Sequence, residues 1–582
     1  MDADHRSLTR PILAGDEASG SNRSSEAREL KVHEANHCSD KALKIILCLQ
    51  FLEVSAFYGI YLSLIVYLQD VLHGDSASNV ATVSSWAGAG YLMPVLGAAV
   101  ADSFWGKYKT VLAGLTISVV GMAMVTTSAT LPSLRPPPCA QQSAYCAPAT
   151  LRQELLFFSG IYLCAVGIGA AKAVFISFAA EQFDDGDGRK SSYFSWYYTA
   201  ANMGMLTAAT LLVWVQDKVS WGFGYGICAS FVVVSVVGLA ATVPMYRILP
   251  PAGSPLKGVL QVLVASSRKV KLTVPRDAAE LYEGEDVKNP LLHSPLHERL
   301  QHTDQFRSLD KAAMVTDEDL EGGDHRPWRL CTVTQVEELK TLLRLIPIWL
   351  TSAVYFLANT QAQTTFVQQG TKTDSRITIG AVSISIPAAS LTSIQTVCVA
   401  ACVTLYNRAV AQSSPFTPLR LMGLGHATAA ASVAVAACTE ARRLRIATEG
   451  DSAAAAAMGI AWLLPQYVVM AVSDASLSVG QLQFFYDQAP ETMRGASTAF
   501  YFLSVSLGNL INSQLVTIVA SVTAAGGRTG WFPPELDDGH LDYYFLLVVA
   551  VATVNFGVFV ALAKNYTPKR VRQSRLDSLS SS

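Results

Sequence analysis

GIYLCAVGIGAAKAVFISF, residues 160–178, carries a single charge, the ammonium of Lys172, in an otherwise apolar run. Crossing a hydrocarbon core of about 30 Å takes ~20 mostly apolar residues in a helix, and this run with its flanks is long enough. The rest of the chain repeats the pattern. Of 582 residues, 51% are apolar and 15% charged, whereas soluble domains carry roughly a quarter charged residues. The charges crowd into residues 1–44, 247–344 and 564–582. Apolar runs of spanning length fall near 44–68, 80–101, 109–131, 155–180, 193–215 and 223–246. After a polar break, others fall near 338–362, 378–405, 418–438, 456–482, 496–522 and 542–563. Residues 1–42 lack the apolar core of a cleavable leader, so the first run is expected to be its own membrane signal.

The expectation is an all-α polytopic membrane protein with twelve transmembrane helices in two six-helix halves. Its parts are a cytosolic tail (1–42), a first bundle (43–246), a cytosolic linker (247–337), a second bundle (338–563) and a basic cytosolic tail (564–582). Six spans, a loop and six more, with a site between the halves, is the plan of the major facilitator fold. Orientation follows from Lys and Arg. A dozen lie between Arg247 and Arg329, and Lys107, Lys109, Arg189 and Lys190 fall on the same side. Both termini are therefore expected in the cytosol. One loop dissents, with Arg442, Arg443 and Arg445 facing outward. Within the linker, GVLQVLVASSRKVKL (258–272) reads either as an amphipathic helix on the inner leaflet or as a solvated linker helix. The stretch 277–330 is polar and expected to be partly disordered.

A net charge of −2 gives no reason to expect nucleic acid as a partner. The cysteines show no metal-ligand spacing, and most sit singly in apolar runs, as small hydrophobes do. Cys139 and Cys146 lie in a Pro-rich loop and are read either as a disulfide or as two free thiols. No nucleophile–base pair, metal cluster or phosphate loop stands in the spans, so an enzyme is not expected.

Charges inside a membrane cost roughly 2.5–3.5 kcal/mol on insertion scales and mark function by default. Glu53 falls near the middle of span 1, with Gln50 one turn earlier. Lys172 lies deep in span 4, and Asp474 deep in span 10. A lone amine in lipid tends to shed its proton, and a lone carboxyl to take one up. A Lys172–Asp474 pair between the two halves answers both problems. It serves either as a gate that forms and breaks in the transport cycle or as a static brace. Glu53 is the candidate proton carrier. The competing reading is a carboxyl hydrogen-bonded to Gln50 and a nearby hydroxyl. Tyr355, Asn359, Gln361 and Gln363 in span 7 suit either a polar cavity wall or interhelical hydrogen bonds. His426 is expected to pack or to face a polar crevice rather than to carry protons, and Arg344 to snorkel. In GAAVADSFWGKYKT (97–110), Gly97 permits close helix contact, while Asp102 and Lys107 can latch neighbouring helix ends.

Several ordered segments carry a resemblance: LEVSAFYGI (52–60), AVADSFWGKYKT (99–110), FAAEQFDDGDGRKSSYFSWYY (178–198), HTDQFRSLDKAAM (302–314), VTQVEELKTLLRLIPIW (333–349) and QFFYDQAPETMR (483–494). Together they resemble the proton-dependent oligopeptide transporter family, in its plant nitrate- and peptide-transporter branch. The resemblance implies a major facilitator bundle that moves a small solute by alternating access, driven by a proton gradient and with no bound cofactor. Nitrate, di- and tripeptides, hormones and glycosides are all handled in that branch, in the plasma or the vacuolar membrane. A proton-independent facilitator or a transport-deficient sensor is the alternative. The resemblance assigns the span 4 lysine and span 10 acid to Lys172 and Asp474, and puts Tyr58 and Asn202 (in YYTAANMG, 197–204) in the substrate region. It matches Thr110 to a threonine that is phosphorylated in some carriers, although an ordinary helix-start threonine fits equally. Two departures stand out. The family's Glu-x-x-Glu-Arg reads Gln50-Phe51-Leu52-Glu53-Val54 here, so the first acid and the arginine are gone. Where nitrate carriers hold a histidine, this chain has Asn359, which offers no positive charge.

Overall fold

The computed structural model describes residues 40–137, 147–183, 189–251, 256–275, 281–282, 302–316, 328–379, 382–410, 417–449, 458–489, 496–533 and 535–566. Twelve helices among them are long and apolar enough to cross a membrane. Spans 1 to 6 are Lys41–Asp70, Ser76–Trp105, Lys107–Thr130, Leu151–Ala180, Ser192–Val219 and Trp221–Ala241. Spans 7 to 12 are Val333–Thr371, Ala388–Arg408, Pro418–Thr448, Ile460–Gln488, Thr498–Thr523 and Leu541–Lys564. Among the described residues the fold is a helical bundle apart from one hairpin, β1 (Arg376–Ile379) paired antiparallel with β2 (Val382–Ser385).

That hairpin corrects the expected start of span 8 at residue 378. Arg-Ile-Thr-Ile and Val-Ser-Ile-Ser alternate with the two-residue period of a strand, which a hydropathy reading merges with the helix that follows. Pro387 stands just before the helical segment. Span 9 also runs further than expected, so Arg442, Arg443 and Arg445 sit on its continuing helix rather than in a loop. Arg443 is buried and pairs with Glu440 at 2.7 Å and with Asp537. Arg442 lies 4.0 Å over the ring of Trp462. Arg442 and Arg443 thus make their contacts within this end of the bundle.

Spans 2, 3 and 4 pack where glycines let backbones meet. A Cβ on Gly169 would lie 2.5 Å from the Gly90 carbonyl, and one on Gly114 would lie 2.6 Å from that of Gly167. Gly97 faces the Ala170 backbone in the same way. This seating fixes the rotation of span 4, and with it the direction of Lys172. The two halves meet along spans 2 and 11. There Asn512 donates to Ser84 at 2.8 Å, Ser85 and Ser513 share a bond of 2.7 Å, and Ser506 donates to the Gly88 carbonyl at 2.7 Å. Nearer the hairpin end, Gln368 of span 7 donates to the Ser76 carbonyl at 3.0 Å.

The polar linker contributes a helix, Leu256–Arg268. One of its faces buries Val262 and Ala265 with Ala312, Ala313, Val336 and Leu339. HTDQFRSLDKAAM then docks on the base of span 7 through charge. The Lys340 ammonium is fully buried, 2.6 Å from Asp310 and 2.8 Å from Glu337. His302 lies 3.1 Å from Asp310, and the Thr303 backbone N–H and hydroxyl both donate to Glu337. Arg344 binds the Thr303 hydroxyl and lies 3.3 Å from Glu337. It is a member of this knot, not a snorkelling side chain. His302, Asp310 and Glu337 gather within 4.8 Å of one another, and the Lys340 ammonium already satisfies the two carboxylates a cation would need.

Candidate functional site

Span 1 brings Gln50, Glu53 and Phe57 to one side at spacings of three and four residues, one helical face, and the Tyr58 ring lies edge-on beside that of Phe57. The Gln50 amide oxygen accepts a 2.5 Å hydrogen bond from the Tyr197 hydroxyl of span 5. Glu53 is buried, and neither of its carboxylate oxygens has a hydrogen-bond partner. It does not bond Gln50, which is committed to Tyr197. Its electrostatic neighbour is Lys172. The ammonium of Lys172 also lacks a hydrogen-bond partner and stands 3.9 Å from the centre of the Phe57 ring.

Asp474 is not the lysine's partner in this conformation. Among the described residues, its carboxylate accepts a 3.2 Å bond from Ser478 one turn along span 10. It also lies close enough to interact electrostatically with Tyr58, Tyr198, Tyr355 and Tyr501, from spans 1, 5, 7 and 11. Tyr58 faces both charges, since it interacts with Glu53 as well, and its hydroxyl lies 3.2 Å from that of Tyr91. The interior therefore has a basic pole at Lys172 in the first half and an acidic pole at Asp474 in the second. Tyrosines from both halves line the way between them.

The span 7 residues divide. Tyr355 is buried, bonded to Ser473 at 3.0 Å and an electrostatic neighbour of Asp474. Asn359 is half-buried, with its side chain beside the Tyr355 hydroxyl. Gln361 belongs to the packing instead. It donates to the Leu357 carbonyl and to Asn512, both at 2.8 Å, and accepts from Thr365 at 2.7 Å. Gln363 is buried in the same short 3-10 turn, Thr360–Gln363. That turn interrupts the span, and side-chain amides and hydroxyls serve the bonds a broken helix frees in lipid. Asn202 is half-exposed and donates to the Tyr198 carbonyl at 2.8 Å.

At the span 2–3 turn, Lys107 pairs with Glu181, just past the end of span 4, at 2.6 Å, and is an electrostatic neighbour of Asp102. Thr110 is buried, with its hydroxyl on the Gly106 carbonyl at 2.9 Å, the posture of a helix-start threonine. His426 packs, stacked on Phe559 and bonded to the Met422 and Thr351 carbonyls. Cys139 and Cys146 lie outside the described residues, as do residues 490–494.

Reading the sequence missed Phe57, Tyr91, Tyr197, Tyr198 and Tyr501. Tyr197 and Tyr198 stood in a quoted pattern. An aromatic residue in a membrane helix gives no local sign of whether it faces lipid or a charge.

The sequence pattern of the family described as PTR2, the POT family, matches residues 108–532. The protein named NRT1/PTR FAMILY 8.5 of Arabidopsis thaliana is 40% identical over 547 residues, covering 91% of this chain and 90% of that protein. The chain belongs to the POT family. A second Arabidopsis thaliana relative, NRT1/PTR FAMILY 8.3, is 38% identical over 546 residues, 91% of this chain and 92% of its own length. The fold is shared with an auto-inhibited POT family peptide transporter (TM-score 0.67, 20% identity, 92% of this chain and 99% of that one). It is shared too with a POT family transporter in complex with 5-aminolevulinic acid (TM-score 0.62, 13% identity, 91% and 98%). This POT-family chain is thus a multi-pass membrane transporter of a small solute.

Proposed function

We propose that this chain is a proton-coupled symporter of a small solute, working by alternating access. Glu53 is the proton site, and Lys172 alternates between Glu53 and Asp474. The observation that carries the reading is the pair of opposite charges in spans 4 and 10. Lys172 has no hydrogen bond, Asp474 has one from a serine, and they belong to different halves. Ions in so dry a setting are costly until each meets a counter-charge. Closing the halves on each other, or on a solute bearing both signs, relieves that cost. Protonating Glu53 removes the charge nearest Lys172 and frees it to cross, which ties the proton to the movement.

A zwitterion with its carboxylate toward Lys172 and its ammonium toward Asp474 fits this polarity. Di- and tripeptides are such molecules. The solved relatives that carry a peptide or 5-aminolevulinic acid favour the same class, while neutral Asn359 gives nitrate no cation. The setting is the plasma or the vacuolar membrane, with both termini cytosolic, as the basic linker and tail favour.

Uptake of labelled dialanine into a heterologous cell, with competition by nitrate, peptides and hormones, tests the reading. Asp474→Ala is expected to abolish active uptake while surface expression stays near normal. Undiminished uptake by that variant, or competition by nitrate and not by peptides, would remove this assignment.

A further inference from the structure

The ammonium of Lys172 has no hydrogen-bond partner among the described residues, yet its position is well defined. Its ammonium lies 3.9 Å from the centroid of Phe57, 5.3 Å from that of Tyr58 and 5.4 Å from that of Tyr91. A cation over an aromatic face is drawn to the ring's negative quadrupole, and the attraction grows when water is excluded. Glu53, one turn before Phe57 on the same face of span 1, is an electrostatic neighbour but not a bonded partner.

Phe57 is built to stay where it is. It is 1% exposed, stacks on Trp86 at 5.4 Å and 22°, and takes Tyr91 edge-on at 5.8 Å and 78°. Trp86 is tied in turn by its indole N–H to the Ile161 carbonyl of span 4 at 2.7 Å. Small residues border the ring: a Cβ on Gly90 would lie 3.5 Å from Phe57 Cε2 and 3.8 Å from the methyl of Ala165.

We propose that Phe57 is a positioning residue for Lys172, its ring face holding the ammonium in the conformation in which neither Glu53 nor Asp474 bonds it. An ion pair with Glu53 would bind the lysine through hydrogen bonds that must break before it could move. A ring attracts the charge without neutralising it or bonding its protons, so the lysine stays available to Asp474 or to a solute carboxylate. This role concerns that conformation and does not depend on which solute moves or on Glu53 carrying the proton.

The test replaces Phe57 with mono-, di- and trifluorophenylalanine, which keep the ring's shape while stripping its face of negative potential. Each is made with Lys172 intact and with Lys172→Met, and the Tm of the purified protein is measured. With Lys172 present, Tm is expected to fall stepwise with each fluorine, by a few degrees in all. With Lys172→Met the series is expected to be level, and Phe57→Leu is expected to cost more with the lysine than without it. A level series beside Lys172, or equal slopes in both backgrounds, would overturn the proposal. If Lys172→Met does not fold, the Lys172 series decides alone by whether it is graded.

Discussion

The side chain that most constrains the chemistry here is one that is missing. Val54 stands where a POT arginine is expected, and Gln50 where an acid is expected, leaving Glu53 as the sole span 1 carboxylate in that motif. Gln50 has been put to other use, accepting from Tyr197 across spans 1 and 5. An amide cannot hold a proton for transport, so restoring both residues adds an acid and a cation beside the present pair. Gln50→Glu with Val54→Arg is expected to displace the pH optimum of uptake, since a new charge within ~4–6 Å alters how a carboxyl titrates. An unchanged profile would mean that the two substitutions are neutral. Lys172, Asp474 and Glu53 were all legible in the sequence, because an ionisable residue in an apolar run is conspicuous. The aromatic residues that surround them were not. Phe57 and Tyr501 look like any ring in a membrane helix until neighbouring spans are in place.

At the scale of elements, length and hydropathy located every span, and the errors cluster where another period or a second use of charge intrudes. The hairpin before span 8 alternates too briefly to stand out from its apolar surroundings. Span 7 continues past residue 362 to Thr371 because its broken turn is repaired by Gln361, Thr365 and Asn512, the last of which lies far away in sequence. The linker shows the same limit, since HTDQFRSLDKAAM reads as polar loop until Lys340 is seen to need it. Removing one member of a buried ion cluster leaves an uncompensated charge and typically costs about 3–5 kcal/mol. Asp310→Asn is therefore expected to lower Tm by several degrees and to expose the linker to protease. A variant as stable and as resistant as the parent would mean that the linker is not held through Lys340.

The whole molecule is two bundles joined along spans 2 and 11 by short polar contacts. Gly88 lets span 11 approach so closely that a Cβ there would lie 2.8 Å from Leu510. Asn512, fully buried, ties Ser84 of the first half to Gln361 and Tyr544 of the second. Small residues with directional bonds make this seam. On the proposed alternating-access reading the two halves pivot there, and their movement is tied to a proton on Glu53. Purified protein in liposomes, given labelled dialanine and an imposed pH gradient, tests it most directly. The native chain is expected to accumulate the peptide above equilibrium, and Glu53→Gln to equilibrate it in either direction without accumulation. Accumulation by Glu53→Gln that still follows the pH gradient would contradict the account.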